Sequence, residues 1–369
     1  MTSLLDNDQR SQAHIEVNAT SSQIIAQPTM SLPPRSPHHN PLEIIKECKA
    51  KNKPVYIAGP MVRYSKLPFR QLLRYYNVDI VYTPMILARE FVRHPHARLS
   101  DFSTNPTDRP LILQVGVNNV TDLLRVVEMV KPYVDGIGLN CGCPIKDQVR
   151  EGIGAALMSK KDLVASMVKA VKDKWSDDIC IETKIRVHPD VNETIEFVKE
   201  VEKAGVDFIT VHGRTKNTRS SVPVDLDKIK IIKSSVNVPV IANGDCRSVE
   251  DAENICNFTG CDGVMAVRGV LDNPAMFAGF EKCPWGAIER FWDLAMSYGL
   301  PFRLMQHHLA CMMEGLIDRK WIIELNECES AGDLLDWFDE KFWVKRPDDE
   351  GFGEAVEVQW REKRDGVKL

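Results

Sequence analysis

Between residues 55 and 277, short runs of β-branched and aliphatic residues alternate with longer stretches whose apolar positions recur every three or four residues. The first pattern predicts strands and the second amphipathic helices. Strands are expected at 55–61, 79–83, 111–117, 134–140, 179–187, 207–213, 238–243 and 263–268. Helices are expected between them at 67–76, 120–130, 161–175, 194–204, 225–234 and 249–258. Eight strands with intervening helices over about 220 residues approach the size of a (β/α)8 TIM barrel. An open doubly wound sheet has the same local rhythm. The count of eight favours the barrel, as does the placing of polar residues at strand C-terminal ends.

The rhythm sets the domain expectations. Residues 41–282 form the barrel. Residues 283–344 contain no strand-like run, and helical patterns at 288–296, 302–316 and 331–342 read as a small helical domain. Residues 1–40, rich in Ser, Gln, Asn and Pro, are expected to be disordered. Residues 345–369 are charged, broken by glycine and proline, and expected to be a loosely held tail.

Composition narrows the picture little. The chain has 369 residues, of which 44% are hydrophobic and 27% charged, as in an ordinary soluble globular protein. A net charge of −5 argues against a generally sticky nucleic-acid coat protein and leaves room for a local basic face. The ten cysteines show neither repeated CxxC pairs nor zinc-finger spacing, so no metal site is expected. Without a signal peptide they suggest a reducing compartment, the cytosol or nucleus. No apolar run approaches the roughly 18 residues of a membrane span.

Candidate chemistry concentrates at the strand ends. Gly138-Leu139-Asn140-Cys141-Gly142-Cys143-Pro144 brings an amide and two thiols to the tip of the fourth strand, where Gly and Pro force the chain out of the sheet. In the fifth strand, Glu182, Lys184 and Arg186 share one face. Both faces of a parallel barrel strand are buried, so such charges need partners or a ligand. The pattern suggests an anionic ligand, with an internal Glu182–Arg186 salt bridge as the alternative. The sixth strand ends His212-Gly213-Arg214, the seventh Asn243-Gly244-Asp245 and the eighth Val267-Arg268-Gly269. The loops after strands seven and eight commonly hold a phosphate in barrel enzymes, so a phosphorylated cofactor is expected here. Ala58-Gly59-Pro60-Met61 closes the first strand with little bulk, leaving room for a flat ring. Gln114 stands inside an apolar strand and needs either a partner on a neighbouring strand or a ring edge offering donors and acceptors.

In this order the motifs resemble the tRNA-dihydrouridine synthases over residues 55–277. They are Pro60-Met61, Gln114, Asn140-Cys141-Gly142-Cys143-Pro144, Lys184-Ile185-Arg186, His212-Gly213-Arg214-Thr215 and Asn243-Gly244-Asp245. Segments 61–67, 82–85 and 273–279 are most similar to the eukaryotic dihydrouridine synthase 4-like group. That resemblance implies FMN as cofactor, NADPH or NADH as reductant, and reduction of D-loop uridines 20a and 20b of cytoplasmic tRNA. It implies Cys143 as the acid that protonates C5 of uracil, with Cys141 a packing residue. It also implies a cofactor site of Pro60, Met61, Val62, Gln114, Asn140, Lys184, His212, Asn243, Gly244, Asp245, Val267 and Arg268. Two positions depart from the family pattern: Gly138 stands where Asp is usual, and Val267 where Gly is usual.

A tRNA substrate calls for a positive face. Arg63, Lys66, Arg70 and Arg74 fall on one side of the predicted helix after strand one, which reads either as a solvated face or as a backbone contact. Arg214, with Lys160, Lys161, Lys216 and Arg219, would extend it around the barrel mouth. A monomer is expected. Two other readings fit parts of the sequence: an FMN barrel acting on a free pyrimidine, and a tRNA-binding barrel without catalysis.

Overall fold

A computed structural model describes residues 39–361, so the disorder expected for the first 38 residues lies outside the described residues. All eight expected strands form: β1 Val55–Ala58, β2 Ile80–Tyr82, β3 Leu111–Gly116, β4 Gly136–Cys141, β5 Cys180–Arg186, β6 Phe208–His212, β7 Val240–Asn243 and β8 Gly263–Ala266. Each pairs in parallel with its neighbours. The cylinder closes where Val55 faces Gly263, and β2 and β3 join through Val81 opposite Leu111. A two-residue strand, Ile86–Leu87, extends the upper end of β3.

The helices outside the cylinder bury their periodic apolar faces on it. In chain order, α1 is Pro41–Ala50, α2 Leu67–Arg74, α3 Val120–Val130, α4 Lys161–Trp175, α5 Val191–Lys203, α6 Leu226–Ser234 and α7 Val249–Thr259. Five start at a side-chain cap: Asn40, Asn119, Asp190, Asp225 and Ser248 each accept a first-turn N–H. Helix α1 is not marked by the sequence pattern, and its job is different. Asn40 caps it, and Ile45 and Cys48 plug the floor of the barrel against Val55, Ile57 and Ile80.

One device recurs four times at that floor. Asp79, Asp135, Asp207 and Asp262 each stand just before an even-numbered strand. Each donates its backbone N–H to one residue of the preceding odd strand and accepts that residue's N–H on its carboxylate. The partners are Tyr56, Leu111, Ile181 and Val240 respectively. A basic side chain neutralises each clip: Lys53, Arg109, Lys172, and Lys233 together with Lys49. Carboxylates accepting both a charged and a backbone donor make strong hydrogen bonds.

The basic stripe after β1 must be corrected. Helix α2 begins only at Leu67, so Arg63 lies in the preceding turn, with φ of 73°, and is exposed. Lys66 bends over to donate to the Ser100 carbonyl at 2.6 Å. Arg70 turns inward and is 2% exposed; it donates to Asp108 through Nε and Nη2, and Arg74 donates to the other oxygen of the same carboxylate. Burial pushes the Asp108 carboxyl up, but the two guanidiniums outweigh it and hold it below its usual range. Arg70 and Arg74 therefore anchor segment 103–110 to the barrel and are not a tRNA face.

After the barrel come α8 Trp285–Ser297, α9 Phe302–Met313, α10 Arg319–Glu327 and α11 Ala331–Lys341. They share one continuous apolar core with the barrel. Phe69 of α2 meets Phe291 of α8 and His308 of α9, and burial holds that imidazole down to about 3. The loosely held tail is also corrected as far as residue 361. The carboxylate of Glu289, wholly buried in α8, accepts the N–H groups of Lys345 and Gly353. Trp285 and Gly286 donate backbone N–H groups to Val356 and Ala355, and Phe342 bridges to Trp360. A Cβ on Gly286 would lie 2.2 Å from the Gly353 oxygen, so this strap needs glycine beneath it.

Two stability outcomes follow. Asp108→Ala would strand the buried Arg70 guanidinium and the partly buried one of Arg74 and is expected to cost about 3–5 kcal/mol, whereas Arg63→Ala should stay within about 0.5 kcal/mol. Urea unfolding of both variants checks the contrast. Glu289→Ala should cost about 2–4 kcal/mol by orphaning two strap N–H groups, and should expose the segment after residue 344 to limited proteolysis.

Candidate active site

A cavity of about 320 Å³ opens at the C-terminal ends of the strands, at the low end of the range for small-molecule sites. The expected residues Pro60, Val62, Gln114, Asn140, Cys143, Lys184, His212, Asn243, Gly244, Asp245, Val267 and Arg268 line it. Met61 does not: it is buried in the core behind the loop. Arg186, one of the inward-facing charges of the fifth expected strand, lines the wall as well, as do Met85 and Met265, of which no cofactor role was expected. Met265 sits on the inward face of β8 between Gly263 and Val267, so strand alternation alone points to it.

The sulfur-bearing loop is held from three sides. Asn140, next to last in β4, faces inward, and its Oδ1 accepts the N–H of Gly142 at 3.2 Å and of Cys143 at 2.9 Å, while its Nδ2 donates to Gln114 Oε1 at 2.8 Å. Arg186 donates from Nε to the Gly142 carbonyl and from Nη1 to Thr215, so the proposed Glu182–Arg186 bridge does not form. Ala155 donates to the Cys143 carbonyl at 2.8 Å, and Gly154, at φ 61°, presses so close that a Cβ would lie 2.6 Å from that oxygen. Cys143 thus stands half-buried at the cavity wall. Cys141 points the other way, fully buried in the outer core, where burial pushes its thiol up.

Below and opposite, Lys184 donates to Asn243 Oδ1 at 2.7 Å, and Asn243 passes a hydrogen bond to the Met265 carbonyl. Burial lowers the Lys184 ammonium below its usual range. Gln114 keeps its Nε2 buried without a partner. A buried donor left unpaired costs about 1–3 kcal/mol, so this one is a point at which a bound ring could be read.

The far end of the cavity is cationic. His212 lies against Lys184, Arg186, Arg214 and Arg268; burial first, and then those charges, hold its imidazole down to about 2, so it is neutral. Arg214, expected to face tRNA, is buried; it donates to Val222, Ser220 and Asp245 and folds the loop after β6 over the site. Asp245, at φ 51°, pairs with Arg214 and with Arg268, whose side chain remains half exposed. Gly244, at φ 130°, leaves its backbone bare toward the cavity.

Both departures from the family pattern have neighbours that explain them. A Cβ on Gly138 would lie 2.6 Å from Glu182 Oε2, so the Glu182 carboxylate occupies the room a side chain at 138 would need. Val267 packs where a Cβ on Gly59 would be, 2.8 Å from its Cγ2, so its bulk is met by an absent side chain across the β8–β1 seam. The residues present fit a flat, phosphorylated ring cofactor: an unpaired amide donor and an ammonium at one end, the side-chain-free backbone of Gly244 and guanidiniums at the other.

Among the described residues no helix is long and apolar enough to cross a membrane. The family model described as dihydrouridine synthase matches residues 56–328. A Saccharomyces cerevisiae protein named tRNA-dihydrouridine(20a/20b) synthase, with NAD(P)+ in its name, is 58% identical over 328 residues, covering 87% of this chain and 89% of that one. A Homo sapiens protein carrying the same name with the suffix -like is 44% identical, covering 79% and 92% respectively. A Rattus norvegicus tRNA-dihydrouridine(16/17) synthase-like protein is 33% identical over 69% of this chain and 58% of its own length. With the motif residues gathered around one cavity and the family model spanning most of the barrel and the helices behind it, this chain belongs to the dihydrouridine synthase family.

Proposed function

We propose that this chain reduces uridine to 5,6-dihydrouridine in the D-loop of tRNA, at positions 20a and 20b, with FMN in the cavity and NADPH or NADH as reductant. One observation carries the reading: a thiol fixed at the cavity wall by Asn140 and Arg186, across from a buried ammonium and above a cationic far end. When bound, FMN supplies hydride transfer, which no side chain can.

The protein's own groups do the rest. Arg268, neutral His212 and the bare backbone at Gly244 form the anion-binding end. Lys184 and the Gln114 amide face the other end, where an ammonium favours developing negative charge. As hydride reaches C6 of the uracil, the Cys143 thiol gives its proton to C5 and is reprotonated from solvent, so one reductant and one proton are consumed per base. Asn140 and Arg186 keep that sulfur from swinging away, which is the entropic part of catalysis. A loop uridine must leave its stack to reach the thiol. Arg247 and Arg268 line the opening with exposed side chains, and the exposed Arg63 and Arg219 adjoin the lining residues Val62 and Ser220 in sequence, which suits contact with backbone phosphates.

The test is dihydrouridine formation in tRNA lacking the modification. Wild type with NADPH should produce it, and Cys143→Ala should be slower by about 10²–10⁴-fold with flavin absorbance retained. No product from flavin-loaded wild type would overturn the reading. Arg268→Ala, which removes a charge-assisted contact, should instead weaken FMN retention about ten- to hundredfold, measured by fluorescence on dilution.

A further inference from the structure

The layer of the barrel directly beneath the cavity holds polar groups that the proposed reaction leaves unassigned. Glu182 on β5 is 0% exposed, and neither of its carboxyl oxygens has a hydrogen-bond partner. The hydroxyls of Tyr82 on β2 and Thr210 on β6 face it, and they too lack a partner of normal geometry. A carboxyl so placed is costly to keep unless another charge answers it.

The charge that answers it is Lys184, two residues along the same strand and on the same inward face, roughly 7 Å away along the backbone. Lys184 also feels Arg186, Cys143 and His212, while Glu182 otherwise faces Tyr82, Thr210 and Cys180, with the Cys141 thiol near it but on the outer side of β4. Among these, Glu182 is the carboxyl next to the ammonium. Its place is made by Gly138, which pairs in register with Glu182 across the β4–β5 seam and has no side chain to fill the space.

We propose that Glu182 is a positioning residue: its buried carboxylate, seated in the volume left open by Gly138, is the counter-charge that keeps the Lys184 ammonium charged at the cavity wall. The importance of that charge for catalysis rests on the flavin reading above, but the pairing itself does not. Burial lowers Lys184 while Glu182 opposes the shift, and burial raises Glu182 while the Thr210 hydroxyl, then Lys184, then the Tyr82 hydroxyl oppose that shift; Lys184 is the only full charge among the three. Positions 138 and 182 then compete for one carboxylate, which either strand could deliver.

The experiment reads Lys184 directly, in the full chain stripped of flavin. Trace acylation with acetic anhydride reports the fraction of neutral amine, quantified on the Lys184 peptide by mass spectrometry. In Glu182→Gln the Lys184 midpoint should fall by about one pH unit, so labelling near pH 7.5 should rise about threefold. In Gly138→Asp combined with Glu182→Ser the carboxylate is supplied from β4, and labelling should return close to the wild-type rate, well below the roughly threefold rise of Glu182→Gln. A folded Glu182→Gln protein that labels at the wild-type rate overturns the proposal. Should Glu182→Gln fail to fold, the double variant decides alone: near-wild-type labelling upholds the pairing, and the full rise overturns it. Flavin rebinding is measured separately by absorbance, so a failure of the flavin reading leaves the labelling result standing.

Discussion

Water does not reach the inside of a closed eight-stranded barrel, so each charge on an inward-facing position must be answered by another group within the barrel. That constraint organises the upper half of this molecule. Lys184 is met by Asn243, Asn243 by the Met265 carbonyl, Asn140 by Gln114, and the loop after Asn140 by the same amide and by Arg186. These bonds run from strand to strand around the rim, so the side chains that would touch a ligand are also those that hold the rim in shape. The position of Cys143 is thus a product of barrel closure, not of its own loop's stiffness.

The eight strands were legible because parallel strands buried on both faces read as continuous apolar runs. Helices of eleven or more residues were legible because their apolar positions recur every three or four residues, and 120–130 and 161–175 coincide with their sequence patterns. What escaped was structure whose cause lies elsewhere in the chain. Helix α1 is short, and its two inward residues, Ile45 and Cys48, make no obvious stripe. Arg70 and Arg74 keep a surface-like spacing because their partner, Asp108, is more than 30 positions away. Glu289 reads as an ordinary exposed helix residue until the strap is laid over it. The four aspartates before the even strands were visible at one fixed offset, and period-based reading passed over them because a single polar residue looks like the end of a turn.

The C-terminal helices are better understood as part of the barrel's wall than as an attachment. Phe69, Phe291 and His308 form one aromatic contact drawn from α2, α8 and α9, and Tyr56 of β1 stacks on Phe277 at 4.5 Å. The strap from 345 to 361 then crosses back over α8. With the core continuous, motion of the helices relative to the cavity mouth would have to break apolar packing and not merely bend a linker.

The aspartate clips give the cylinder an uneven circumference. Each ties an odd strand to the even strand after it, so the lower rim consists of four tethered doublets, and the seams between doublets carry only the ordinary ladder. Local opening, where it occurs, is easiest along those untethered seams. Two of them, β4–β5 and β6–β7, are the seams across which Asn140 faces Lys184 and His212 faces Asn243 at the upper rim. A molecule seated among those four side chains would staple from above the very joints left loose below. Occupancy of the cavity and integrity of the barrel are in this way one equilibrium, with the bound molecule serving as a structural member of the fold.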